Sequence, residues 1–106
     1  MAISFEYIAG PFGDCTSVYK VKLDKSYTVS EFVSDVVSDE REWGYIYIGK
    51  NCIDNEAKCE YRWGKLLSEF NEQYLDRKII NATASGGWSR MDYYLTLEPL
   101  REEKGE

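Results

Sequence analysis

The chain has 106 residues, 43% of them hydrophobic and 30% charged, and its 19 Asp and Glu outnumber 13 Lys and Arg to give a formal charge of −6. This length suits one domain with one core, and an aromatic share of 15% excludes the composition of a disordered chain. The acidic balance argues against direct binding to nucleic acid or to an anionic membrane, and the absence of histidine removes the commonest general base and metal ligand together.

Ile3, Phe5 and Tyr7 alternate with Ser4 and Glu6, the period of a strand. Gly10-Pro11-Phe12-Gly13-Asp14 is a turn signal, and Tyr19, Val21 and Leu23 then alternate with two lysines. Together they predict an antiparallel hairpin with a long loop.

Val29, Phe32, Val33, Val36 and Val37 follow at helical spacing. Thr28 and Glu31 form a capping box, and Tyr27 and Phe32 occupy the staple positions around it. Four valines lower intrinsic helix propensity, so packing against a sheet must stabilise this helix. It is expected to stop near Ser38, with Asp39, Glu40 and Glu42 as solvated charges, since carboxylates at a helix C-terminus oppose its dipole.

Trp43, Tyr45 and Tyr47 alternate with Gly44, Ile46 and Ile48. Both sets are apolar or aromatic, which predicts a central strand covered on both faces. Cys59, Tyr61 and Trp63 read as a strand with one wet face, and Leu66, Leu67, Phe70 and Tyr74 as a short helix. Ile79 to Ala84 is the next strand, Ser85-Gly86-Gly87 a turn, and Trp88 to Leu97 the returning strand. Met91, Tyr93, Leu95 and Leu97 share one side of that strand.

The expected class is α+β: a mostly antiparallel sheet of about six strands built from hairpins, with one amphipathic helix on one face. The domain spans 1–100, with 101–106 a charged, frayed tail. Over about its first half, the order hairpin, helix, strand is similar to a β-grasp, ubiquitin-like fold. Three cysteines leave one unpaired. With no signal peptide and no apolar run of membrane length, the expectation is a cytoplasmic protein with reduced thiols.

Ser85-Gly86-Gly87-Trp88-Ser89-Arg90 is the most unusual local sequence. A hairpin turn is its plainer reading. The sharper one is an anion held by Gly86, Gly87 and Arg90 through free N–H groups and a guanidinium; it is not a P-loop. Trp88, Arg90 and Tyr94 would line one side of the last strand, an aromatic–arginine strip on a possible edge, and these residue types dominate binding hot spots. Cys52 and Cys59 lack zinc spacing, and Glu60 and Asp92 lie on outward faces without a cleft between them. No cofactor, metal or catalytic residue is expected. The leading expectation is a non-enzymatic interaction module that binds a protein partner or itself. A small anionic-ligand domain and an acidic nucleic-acid mimic are the alternatives.

Overall fold

The computed structural model describes residues 3–13, 15–39, 43–49, 55–62, 64–68, 70–87 and 90–98. The expected tail at 101–106 lies outside them, as do Cys52, Trp63, Trp88 and Ser89. The described residues form one small α+β domain with strands β1 (Ile3–Ala9), β2 (Ser17–Leu23), β3 (Trp43–Gly49), β4 (Asn55–Arg62), β5 (Lys65–Leu66), β6 (Ile79–Gly87) and β7 (Arg90–Leu97), and helices α1 (Val29–Asp39) and α2 (Glu72–Leu75).

Capping explains where α1 begins. The Thr28 backbone N–H donates to Glu31 Oε1 at 3.0 Å, and the Glu31 N–H donates to Thr28 Oγ1 at 3.2 Å. The Thr28 hydrogen bond holds the Glu31 carboxyl below its ordinary pKa. Val29, Phe32, Val33 and Val36 are buried, as is the staple residue Tyr27. Phe32 meets Tyr93 edge to face, with ring centroids 5.6 Å apart, so α1 lies on the Tyr93 side of the sheet. Removing a side chain the size of Phe32 from water contributes ~1.5–3 kcal/mol, which offsets the poor propensity of the valines.

The strand order is β1-β2-β6-β7-β3-β4-β5. Every pairing is antiparallel except β3 with β7. The sheet thus has seven strands rather than six. The extra one is β5, whose Leu66 pairs with Tyr61, where the apolar spacing predicts helix. Leu66 and Leu67 are exposed and only Phe70 is buried, so no apolar face is available to stabilise a helix before Glu72. The likeness to a β-grasp stops at element order, because the β6–β7 hairpin inserts between β2 and β3.

That insertion puts the last hairpin, whose last strand was a possible edge from sequence, in the middle of the sheet. Ser85, Gly86 and Gly87 are not a turn: they continue β6 and pair with Asp92, Met91 and Arg90. Close packing explains the glycines. A Cβ on Gly86 would fall 2.2 Å from the Arg90 carbonyl oxygen, and one on Gly87 would fall 2.1 Å from that of Cys15 in the β1–β2 loop. The rims of the sheet are unlike each other. One is seven-residue β1, where Phe5 and Tyr7 are exposed; the other is two-residue β5.

Candidate functional site: an open aromatic sheet face

The helical face of the sheet carries the core. Ile46 and Ile48 of β3, Cys59 and Tyr61 of β4, Ala82 and Ala84 of β6, and Tyr93, Leu95 and Leu97 of β7 are all buried. Among the described residues, neither helix packs on the opposite face. The alternation that buries Ile46 and Ile48 turns Trp43, Tyr45 and Tyr47 outward, and all three are half-buried. The expectation that β3 is covered on both faces is therefore corrected: the aromatic row cover one another and the long cations beside them.

Register assembles this face from three neighbouring strands. Trp43 stands between Arg62 and Arg90 and Tyr47 between Lys58 and Tyr94, while Tyr45 lies opposite Glu60 and is tied to Asp92 by a hydrogen bond. The Tyr47 and Tyr94 rings stack at 5.1 Å with planes 8° apart, and Tyr45 lies 5.8 Å from Tyr47. The Arg90 guanidinium sits 4.8 Å from the centroid of Trp43 and 5.5 Å from that of Tyr45. Lys58 lies over Tyr45 at 5.0 Å, and Arg62 over Trp43 at 5.9 Å. Cations above ring faces are attracted by the ring quadrupole.

Asp92 fixes the arrangement. Its Oδ2 is 3.0 Å from Arg90 Nη2, and Arg90 Nε donates to both carboxylate oxygens at 3.1 and 3.2 Å. This pairing raises the Arg90 pKa further above its ordinary value. The carboxylate also mends the sheet. The β3–β7 ladder pairs Trp43 with Arg90 and resumes at Ile46 with Tyr93. Between them the Tyr45 N–H donates to Asp92 Oδ1 at 3.0 Å, and the Tyr61 hydroxyl donates to the Met91 carbonyl at 2.6 Å. Gly44 makes room for this: a Cβ there would lie 2.2 Å from the Met91 oxygen. Burial first, then the Asp92 charge, push the Tyr47 phenol above its ordinary pKa.

Of the residues singled out from sequence, Arg90 and Tyr94 come together on this face. Gly86 is buried in β6, Gly87 faces the Cys15–Thr16 loop, and Trp88 is outside the described residues. Trp43, Tyr45 and Tyr47 are the members that sequence reasoning assigned to a covered strand. Their signal was available, since one set in the alternation is Gly and Ile while the other is all amphipathic aromatics, whose polar tips prefer a partly wet position. Cys59 is buried and its thiol faces the Ser68 carbonyl at 2.8 Å. Among the described residues no group of three or more His, Cys, Asp and Glu could hold a metal, and no helix is long and apolar enough to cross a membrane. No family model matches the chain, and no curated protein or solved structure does so either.

Proposed function

We propose that this chain is a non-enzymatic interaction module that binds a protein partner through the open face formed by Trp43, Tyr45, Tyr47, Arg90 and Tyr94. The observation that carries this reading is a half-exposed row of four aromatics with an arginine laid on it and fastened by a buried carboxylate. Trp, Tyr and Arg are the residues enriched in hot spots. A guanidinium already oriented by Asp92 would lose little freedom on binding. The central position of β3 and β7 supplies a rigid platform.

The anion reading at Gly86, Gly87 and Arg90 has less support. The glycines are enclosed by the β7 backbone and the Cys15 loop, and Arg90 already pairs with Asp92. A nucleic-acid mimic would need its acidic surface elsewhere, because on this face Lys58, Arg62 and Arg90 outnumber Glu60 and Asp92.

The test is site-directed photocrosslinking in cells. A photoreactive residue at position 47 is expected to give a covalent adduct with a protein, either a partner or a second copy, and the same residue at exposed Glu72 is expected to give none. Tyr45→Ala should weaken the captured complex by ~2 kcal/mol, about 30-fold. Adducts at both positions alike, or at neither, reject the face.

A further inference from the structure

The rim of the sheet at β1 is open: β1 pairs with β2 on one side, and no described strand takes its other side. An unpaired strand is a template for another chain, and proteins guard such edges with lysine, proline, a bulge or a very short strand. The opposite rim is guarded in the last way, since β5 has two residues. Ile3 to Tyr7 of β1 has none of these devices. Its residues are Ile, Ser, Phe, Glu and Tyr, and its register with β2 runs without a shift from Ile3 opposite Leu23 to Tyr7 opposite Tyr19. The irregularity of β1 comes only after Tyr7.

The two sides of this edge differ. On the helix side stand Ile3, which is buried, and Phe5 and Tyr7, which are 42% and 55% exposed. Phe5 and Tyr7 meet Tyr19 edge to face at 6.2 and 6.0 Å, and Phe5 reaches the buried Tyr93 at 6.2 Å. The core thus continues outward to the rim and ends there in two aromatic rings. On the other side Ser4 lies opposite Lys22 and Glu6 opposite Lys20. Lys22 Nζ is 3.7 Å from Glu6 Oε1, an ion pair exposed at both ends.

We infer that the occupant of this edge is a second copy of the chain, paired antiparallel with Phe5 of each copy on the two-fold axis. The strand is self-complementary in that register. Phe5 faces Phe5, and Ile3 faces Tyr7 twice, so the helix side of the ladder is apolar throughout. On the other side Ser4 of each copy faces Glu6 of its partner. Adjacent strands are ~4.8 Å apart, so Lys22 lies two spacings from the partner's Glu6 with only the short Ser4 between them. Each Lys22 then serves both carboxylates. Moving the axis to Glu6 would set two carboxylates face to face, which is destabilising, and would draw the irregularity after Tyr7 into the ladder. Each chain carries −6, but that charge is spread over the molecule and screened beyond ~8 Å at physiological salt, whereas the contacts at the edge are of opposite sign. A ladder this short is small beside the ~1,600 Å² of a standard interface, so the dimer is a weak one. The edge is separate from the aromatic face and stands whether or not that face binds a protein.

Sedimentation equilibrium of the full chain from ~10 μM to ~1 mM tests it. The mass is expected to rise from that of one chain toward that of two. Phe5→Lys should stay monomeric throughout, with its fold checked by circular dichroism. Two exposed charge reversals probe the register without touching the core. Glu6→Lys alone and Lys22→Glu alone each set like charges across the axis and should dimerise about tenfold more weakly than wild type. An equimolar mixture of the two restores opposite charges at both crossings and should associate about as tightly as wild type. A wild-type chain that stays monomeric overturns the interface, as does a dimer that survives Phe5→Lys. A mixture no tighter than its components overturns the register. A dimer that Tyr45→Ala dissolves places self-association on the aromatic face and overturns the edge.

Discussion

Single residues in this protein do work that the backbone leaves undone. Asp92 takes the Tyr45 N–H that the ladder drops, so Asp92→Leu leaves a buried donor unpaired and releases Arg90. It should cost ~1–3 kcal/mol in urea unfolding, whereas Asp92→Asn, which keeps an acceptor, should cost less. Gly44→Ala sets a methyl against the Met91 carbonyl and should also cost ~1–3 kcal/mol. Neither requirement is legible in a linear reading. Asp92 and Tyr45 are far apart in sequence, and nothing local to Gly44 says that β7 will lie beside it. The capping box is the opposite case. Its partners are three residues apart, so Thr28 and Glu31 announce it directly, and Thr28→Ala should cost ~1 kcal/mol. Because the folded-state pKa of Glu31 is lowered, its contribution is complete above the ordinary carboxylate pKa of 4.5 and is lost below it, as acid takes the pH down through the lowered folded-state pKa.

Elements were legible in proportion to how local their signals are. The β1–β2 hairpin and α1 follow from alternation, turn residues and helical spacing within short windows. Strand β3 was found but its outward face was not, because a double alternation of apolar residues is what a doubly covered strand also shows. The Gly86-Gly87 pair imitates a turn signal while serving close packing, so the hairpin was placed a few residues early. At this scale α1 depends on burial and not propensity: Phe32→Ala should destabilise by ~3–5 kcal/mol in urea unfolding. A Ser30→Ala change on the exposed side should be nearly neutral in the same measurement.

The whole molecule has a pH limit on its alkaline side. Burial is the largest cause, followed by the neighbouring Asp35 and Asp24, that pushes the Tyr27 phenol from 10.0 up to about 12. The folded state therefore holds this proton more firmly than the unfolded chain. Stability from this group is complete below pH 10 and is lost as the pH rises from 10 to about 12. Urea unfolding across that window should show the loss in the wild type, and Tyr27→Phe should lack this component.

The strand order also bears on how the molecule is made. Synthesis runs from the first hairpin to the last, but the last hairpin is the centre of the sheet. Before β6 and β7 emerge, β1–β2 on one flank and β3–β4–β5 on the other have no ladder joining them. Without β6 and β7 the two flanks share no ladder, and the core lacks Ile79, Ala82, Ala84, Tyr93, Leu95 and Leu97. The two strands that join the flanks and complete the core are the same ones that bring Arg90 and Tyr94 to the aromatic row.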